Sequence, residues 1–426
     1  MPRRVPAWER SEPCDDPPVT TPFTPTLRRD GFTLTHYFVL VVWGWFLYSF
    51  SPSVPLLAED LGVSKAVGGL HGTAMAAGAI TAALVLPHLI RFLGRQRLLV
   101  ASLVTVAIGV TCFVLAPSIA LTLPSIAVVA LGGNIALSIA QLNLSQRHGL
   151  AAPAAISEAN GAGSGIGLLG PLAVGLAVGI GWGWRAAVVV AVVLALTVAF
   201  AVSRLPRDVP GPGTQARDVA DPVPEGPLVT SSVSVASRRL APGTSGLLVA
   251  LVAAMTLENA TTYWSTSLVL ERTGADASIA TATTAGLLGG MTVVRFLGTT
   301  LTRRFGADRV LAASFVLAIA GWAVLWTAHT PGVAVAGLVV AGLGYGAQYP
   351  LTIALLLGIA REGADRAQAV ATFVAGATVG IAPFLLGAAA DAVGTHTAFV
   401  AIPVMAVLGA VGVLLGVRNA RAHGLL

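Results

Sequence analysis

Glu258 is an acidic residue inside a long apolar run, about 13 residues from where that run begins. An ionised carboxylate at the centre of a hydrocarbon layer costs about 2.5–3.5 kcal/mol, so such residues tend to face the protein interior or a water-filled path. A carboxyl group in this position can take up and release a proton, or bind a solute directly. The alternative is a structural role, in which Glu258 is hydrogen-bonded to a neighbouring segment.

Arg295 and Glu158 are two further charged residues within apolar runs. Arg295 can pair with Glu258, contact an anionic or hydroxylated solute, or extend along its apolar stem to the membrane surface. Its depth differs from that of Glu258 by roughly 8 Å at the helical rise per residue, so a direct pair needs an extended rotamer. Glu158, which lies close to Asn160, is interpreted as a second protonation site or as a gate or helix-capping residue.

The composition is that of a membrane protein. Hydrophobic residues make up 55% of the chain and charged residues 10%, whereas a soluble domain carries about 25% charged residues. Runs of about 20 apolar residues, each long enough to cross a bilayer of ~30 Å, recur along the chain. We predict an all-α polytopic membrane protein with spans at 34–57, 65–90, 98–116, 121–145, 153–178, 185–203, 245–269, 278–302, 309–328, 332–358, 367–390 and 396–417.

The sequence contains an internal duplication at an offset of 212 residues. The offset superposes charged and glycine residues as well as apolar ones, for example Arg91 on Arg303 and Gly94 on Gly306. A polar, Pro/Gly-rich stretch separates the two copies and is interpreted as a solvated linker. The predicted organisation is a tail at 1–31, a six-span half at 32–203, the linker at 204–244, a second six-span half at 245–417 and a tail at 418–426.

The distribution of basic residues predicts the orientation. Most of the 25 lysine and arginine residues fall in the tails, the linker and the loops on the same side, while the opposite loops carry only Lys65, Arg185 and Arg272. The positive-inside rule therefore predicts a cell-membrane protein with both termini in the cytoplasm. The two cysteines, Cys14 and Cys112, have no evident partner for a disulfide or a metal site. We expect no metal and no cofactor.

Spans 1, 4, 7 and 10 each carry polar and aromatic residues on one face at helical spacing. Spans 6 and 12 are nearly free of polar residues, as expected of supports that face lipid. The pattern predicts a shared pathway for a solute, lined by Trp45 and Tyr48, by Asn134 and Gln141, by Thr262 near Glu258, and by Tyr345, Gln348 and Tyr349.

Two sets of six spans joined by a cytoplasmic linker resemble the major facilitator superfamily. The resemblance covers residues 32–417 and implies two pseudo-symmetric halves around a central site. The family's loop after span 2 is similar to the run Pro87 to Arg97, with Gly94 and Arg95 in place, but Arg91 stands where the family has an acid. The second copy repeats this departure at Arg303, before Arg304 and Gly306. The resemblance implies that these residues form a gating loop.

Two branches of this family share shorter motifs with the chain. Glu258 to Trp264, followed by Arg295, resembles spans 7 and 8 of fucose-permease-like facilitators, which implies that Asn259, Tyr263, Trp264 and Arg295 contact the solute. Gly170-Pro171 in span 5 resembles the motif of drug/proton antiporters, and Pro383 repeats part of it in span 11, but Val128 occupies the place of those antiporters' arginine.

The expected function is secondary transport of a small organic solute, coupled to protons, with uptake of a sugar-like compound favoured. The alternatives are a drug or metabolite:proton antiporter and a membrane sensor that does not transport. A membrane-embedded enzyme is not expected, because the chain shows no His-x-x-x-His cluster and no paired acids on facing helices. An ATP-driven pump is not expected either, because the only lysine, Lys65, lies outside any Walker sequence. The expected partners are the solute, protons and the lipid bilayer, not nucleic acid, and the protein is expected to act as a monomer.

Overall fold

The part of the chain that the structure describes contains twelve helices of membrane-spanning length. The computed structural model describes residues 29–206, 241–360 and 364–425, and these ranges contain no β-strand. The predicted all-α class and twelve spans are confirmed. The helices are α1 Gly31–Asp60, α2 Lys65–Leu93, α3 Arg95–Leu115, α4 Ile119–His148, α5 Ala154–Gly179, α6 Trp184–Arg204, α7 Thr244–Thr273, α8 Ala277–Phe305, α9 Ala307–Trp326, α10 Pro331–Ala360, α11 Ala364–Val393 and α12 Thr395–Ala422. Most of the predicted linker at 204–244 lies outside the described residues.

Local sequence explains where these helices begin, bend and end. Asp30 caps α1 by accepting a hydrogen bond from the Thr33 amide at 2.9 Å, which satisfies one of the free N–H groups of the first turn. Within α1, Pro52 lies in a short 3₁₀ turn at Ser51–Ser53. Gly94 separates α2 from α3 at a φ of 72°, and Gly306 separates α8 from α9 at 87°, conformations that favour glycine because it has no Cβ.

The two halves repeat the same connections at their ends. The chain enters α1 and leaves α12 at one end of the bundle, which we call the terminal face, and the other end is the opposite face. At the terminal face, the Gln96 amide donates to the backbone oxygens of Val202 and Leu205 at 2.9 Å each, which ties α3 to the end of α6. In the second half Asp308, which lies 212 residues after Gln96, accepts from Arg421 at 2.7 Å and ties α9 to the end of α12.

At the opposite face, a carboxylate at the end of the first helix of each half binds the start of the sixth. Asp60 accepts hydrogen bonds from the Trp184 indole at 2.8 Å and from Arg185 at 2.6 Å. Glu271 accepts from the backbone N–H groups of Thr395 at 3.2 Å and His396 at 3.4 Å. The duplication seen in the sequence is therefore a duplication of tertiary contacts.

The halves contact each other mainly through α2 with α11 and through α5 with α8. Only the second segment of α5, Leu169–Gly179, packs on α8, whereas its first segment packs on α1 and α4 of its own half. The contact is close: a Cβ added at Gly175 would lie 2.5 Å from the Ser278 backbone oxygen. Because these contacts lie toward the opposite face, the halves are closed there and diverge toward the terminal face.

Candidate functional site

Glu258 and Arg295 meet at the centre of the bundle. The Glu258 Oε1 and Arg295 Nη2 atoms are 3.9 Å apart, and the side chains are 23% and 37% exposed, respectively. Glu258 lies midway along α7 and Arg295 lies in the half of α8 nearer the terminal face. The long arginine side chain bridges the difference in depth, so the pairing that the sequence left open is present. The separation is longer than that of a close ion pair, which leaves both groups able to bind a third group.

Tyr48, on α1 of the first half, lies beside this pair. Its phenol lies close enough to the Arg295 guanidinium to interact with it electrostatically. The Tyr48 ring packs against Gly167 of α5, where an added Cβ would collide with the ring. The guanidinium group therefore lies between the two halves, with a carboxylate from one and a phenol from the other.

Residues of α7 and α10 form the rest of this central cluster. The Tyr345 hydroxyl is 3.2 Å from the Thr261 hydroxyl, while Tyr349 is partly exposed and lies near enough to interact electrostatically with Glu258. The Thr262 hydroxyl donates to the Glu258 backbone oxygen at 2.6 Å. We call Tyr48, Glu258, Arg295, Tyr345 and Tyr349 the central cluster. It offers one carboxylate, one guanidinium and three phenols, which suit both proton exchange and the binding of hydroxyl groups.

The predicted amide residues are half buried. The Asn134 amide donates to the Ala130 backbone oxygen at 2.8 Å, and the Asn259 amide donates to the Met255 backbone oxygen at 2.9 Å. Both bonds stay within the residue's own helix and leave the carbonyl oxygen of the side chain available. Gln141 is also half buried on α4.

Tyr263 and Trp264 lie where the halves are closed. Trp264 is fully buried, and its indole donates to the Pro383 backbone oxygen at 2.8 Å. The Tyr263 hydroxyl donates to the Met75 sulfur at 3.4 Å, and its ring meets Phe50 edge-on at 6.0 Å. These two predicted solute contacts thus close the opposite end of the pathway in this conformation, and neither belongs to the central cluster.

Trp45 and Gln348, also predicted to contact the solute, face neighbouring helices of their own half. The Trp45 indole donates to the Ala187 backbone oxygen of α6 at 3.0 Å. The Gln348 amide is fully buried and donates to the Ser314 backbone oxygen of α9 at 3.4 Å. In this conformation neither residue joins the central cluster, and their contact with a solute stays a prediction.

Glu158 belongs to a second polar group at the terminal face. It accepts hydrogen bonds from Arg29 at 2.9 and 2.6 Å and from the Tyr37 hydroxyl at 3.1 Å. Next to it, Asp30 accepts from Arg147 of α4 at 2.6 Å. Sequence reasoning missed Arg29, Tyr37 and Asp30, although Asp30 three residues before a threonine is a recognisable helix-capping signal.

Charge at Asp30 is stabilised by its surroundings. Burial alone would raise the pKa of Asp30, but hydrogen bonds from Thr33 and Arg147 outweigh it and hold the pKa at about 2. Asp30 is therefore ionised at neutral pH, where it fastens the start of α1 to the end of α4.

The predicted gating residues fall at two places. Arg91, Arg303 and Arg304 are exposed at the terminal face, and Arg95 donates to the Gln146 side-chain oxygen. Gly170 and Pro171 are buried in α5, where a Cβ at Gly170 would lie 2.8 Å from the Ser49 backbone nitrogen of α1. Within the described residues, no group of three His, Cys, Asp or Glu side chains is placed to hold a metal ion.

Comparisons with known proteins agree with this architecture. The sequence profile of the Major Facilitator Superfamily matches residues 37–292 and 246–425. No curated protein matches the sequence. Among solved structures, an inward-facing, unoccupied bacterial homologue of the human lysosomal transporter Spinster superposes with a TM-score of 0.72 at 14% identity, covering 92% of this chain and 97% of that one.

Two other solved structures have the same fold. A D-xylose–proton symporter superposes with a TM-score of 0.70 at 14% identity, covering 91% of this chain and 97% of that one. FucP in the outward conformation has a TM-score of 0.56 at 18% identity, covering 92% of this chain and 99% of that one. The profile match spans most of the sequence, and the twelve helices form the two pseudo-symmetric halves that this fold requires. The chain therefore belongs to the Major Facilitator Superfamily of membrane transporters.

Proposed function

We propose that this transporter couples proton movement to the transport of a small hydroxylated solute by alternating access. The observation that carries the proposal is the pair of Glu258 and Arg295. Both residues belong to the second half and face the first, and the Glu258 Oε1 and Arg295 Nη2 atoms are 3.9 Å apart. A carboxylate at mid-membrane is costly unless it is paired or protonated, so its charge state is sensitive to what else occupies the site.

The pair suggests how coupling works. While Glu258 is ionised, it balances the charge of Arg295. Protonation of Glu258 removes that balance and frees the guanidinium group to donate hydrogen bonds to a solute. Because Tyr48 of the first half also lies close to Arg295, a change in the pair alters contacts of both halves. Proton binding and the relative position of the halves are thereby linked.

The proposed solute is sugar-like because the groups around the pair suit hydroxyls. Phenols and side-chain carbonyls accept and donate neutral hydrogen bonds, and tyrosine rings pack against the apolar faces of a sugar ring. We place Tyr48, Tyr349, Asn134, Gln141 and Asn259 in the solute site on this basis. The likeness in fold to a D-xylose–proton symporter and to FucP is consistent with this choice.

We further propose that the terminal face is cytoplasmic and that the protein sits in the cell membrane as a monomer. The excess of lysine and arginine in the loops and tails of that face supports the orientation. The tails at 1–31 and 418–426 and the linker at 204–244 are then cytoplasmic. The conformation described is open to the cytoplasm, in line with the greater similarity to an inward-facing relative than to an outward one.

Flux in proteoliposomes tests the proposal. An imposed pH gradient is expected to drive accumulation of a compound from a panel of labelled sugars and cationic drugs. Glu258→Gln should abolish this accumulation while retaining exchange of the same labelled compound. Glu158→Gln is the matched control and should leave accumulation intact, because Glu158 pairs with Arg29 at the terminal face.

Three outcomes would contradict the proposal. Unchanged accumulation with Glu258→Gln would remove Glu258 from the coupling step and move that role to Glu158. Transport of drugs but not sugars would favour the antiporter alternative. An absence of flux for every compound, with specific binding retained, would favour a sensor.

A further inference from the structure

Asp391 of α11 binds the start of α2, which belongs to the other half. Its Oδ1 accepts from the Lys65 backbone N–H at 2.9 Å, and its Oδ2 accepts from the Ala66 backbone N–H at 2.7 Å. Lys65 and Ala66 are the first two residues of α2, whose N–H groups have no partner within the helix. A carboxylate at this position also interacts favourably with the positive end of the helix dipole.

The surrounding contacts belong to the same closed interface. A Cβ at Gly387, one turn before Asp391, would lie 2.5 Å from the Lys65 backbone oxygen. Deeper in the membrane, the Thr73 hydroxyl donates to the Gly380 backbone oxygen at 2.5 Å. All these contacts join α2 to α11. The cap by Asp391 is their outermost member, so these contacts must separate if the pathway is to open at the opposite face.

The cap is exposed to solvent. Asp391 and Lys65 line an open cavity of about 480 Å³ at the opposite face, together with Glu59 and Glu271, and the Asp391 side chain is itself exposed. Broken hydrogen bonds of the cap can therefore be replaced by hydrogen bonds to water, which keeps the cost of opening moderate. A contact of this kind can hold one conformation without making it permanent.

Glu271 provides an internal comparison. It also accepts hydrogen bonds from two backbone N–H groups at a helix start, those of Thr395 and His396. Both partners belong to its own half, at the beginning of α12. The chemistry of the two caps is the same, but only the cap by Asp391 spans the two halves.

We propose that Asp391 is a latch that holds the opposite face closed by capping α2 of the other half. The latch biases the equilibrium between the two conformations of the transporter. It rests on the proposed alternating movement of the halves. It does not depend on which solute is carried or on proton coupling, so the two proposals can fail separately.

Distance measurements by pulsed electron paramagnetic resonance test the latch. Spin labels are placed at Ser118→Cys and Thr330→Cys, two exposed positions in loops of different halves at the opposite face. The full-length protein carries serine in place of Cys14 and Cys112, and is reconstituted in lipid without solute. Asp391→Asn should raise the population with a longer label distance by about fivefold, because asparagine keeps one acceptor but loses the second hydrogen bond and the negative charge at the start of α2.

Glu271→Gln is the matched control and should leave the distance distribution as in the parent protein. Lys65→Pro tests the same contact from the donor side, since it removes the N–H that Asp391 binds. Proline is tolerated at the first position of a helix, and Ser64 already has the extended backbone that precedes proline, with ψ of 160°. Lys65→Gln retains the N–H and should behave like the parent.

The proposal is overturned if Asp391→Asn and Lys65→Pro both leave the distances unchanged. It is also overturned if Glu271→Gln produces the same shift as Asp391→Asn, because the effect would then not require a contact between the halves. If Asp391→Asn does not insert into the membrane, Lys65→Pro alone decides.

Discussion

The Glu258 carboxylate and the Arg295 guanidinium approach within 3.9 Å, although one lies midway along α7 and the other nearer the terminal face on α8. The pair is only partly buried, and Tyr48 of the first half lies close to the same guanidinium group. Residues of α1 in the first half and of α7 and α8 in the second half therefore surround one charge pair. Changes to this pair should alter solute binding measurably.

Removing the guanidinium is expected to weaken solute binding. Arg295→Gln should lower the apparent affinity measured by counterflow roughly tenfold or more, because hydrogen bonds to a charged donor contribute about 1.5–3 kcal/mol. Glu258→Gln alone should retain or raise the apparent affinity, because it mimics the protonated acid that frees Arg295, and this effect should disappear in the double variant with Arg295→Gln. Strictly additive effects of the two changes would show that the two residues act independently.

Displacing Tyr48 is expected to have a similar but smaller effect. Gly167→Ala adds a Cβ that collides with the Tyr48 ring and would lie 2.9 Å from the Gly44 backbone oxygen, so the ring must shift from its position beside Arg295. We expect the apparent affinity for the solute to fall several-fold. Gly165→Ala in the same helix is the control, because an added Cβ there meets nothing within 4 Å. Equal behaviour of the two variants would contradict a role for Tyr48.

The indole of Trp264 is expected to help keep the opposite face closed. Trp264→Phe shortens the ring that packs against Gly68 of α2 in the other half, where an added Cβ would lie 3.3 Å from the indole, and the label distance between positions 118 and 330 should shift toward longer values. Trp322→Phe shortens an indole whose bond, at 2.7 Å to the Phe399 backbone oxygen, lies within the second half. That control should leave the distance unchanged, and a shift of equal size would contradict the prediction.

Loss of Asp30 should destabilise the terminal face in a pH-dependent manner. Its pKa is lowered from 3.8 to about 2 in the folded protein. The ionised form therefore stabilises the fold fully above about pH 4, and this contribution is lost as the pH falls toward 2. Asp30→Ala should lower the free energy of unfolding by about 1 kcal/mol at pH 7, which allows for the partial exposure of the side chain.

Thermal unfolding of Asp30→Ala in detergent between pH 3 and 7 measures this effect. Asp30→Asn keeps an oxygen that can cap α1 but loses the charge paired with Arg147, so it should fall between the parent and the alanine variant. A difference between parent and Asp30→Ala that grows below pH 4 would have the wrong sign for this explanation.

The sequence alone determined the twelve helices, their grouping into two halves and the presence of a charged centre. Lipid offers no hydrogen-bonding partner to a backbone, so each apolar run of sufficient length must form a helix, and its length can be read directly. The offset of 212 residues predicted two matching halves, and the bonds of Gln96 and Asp308 lie at equivalent positions of those halves. Glu258 stood out because charge inside such a run is rare.

Tertiary structure decided which side chains meet. Trp45 and Gln348 occupy the expected helices but face α6 and α9, since the rotation of a helix about its axis is set by close packing at glycines and not by hydropathy. In the cap of α2, Asp391 lies 326 positions after Lys65 and 325 positions after Ala66 in the sequence. No local pattern encodes such a contact, because it exists only when the two halves pack against each other at one end.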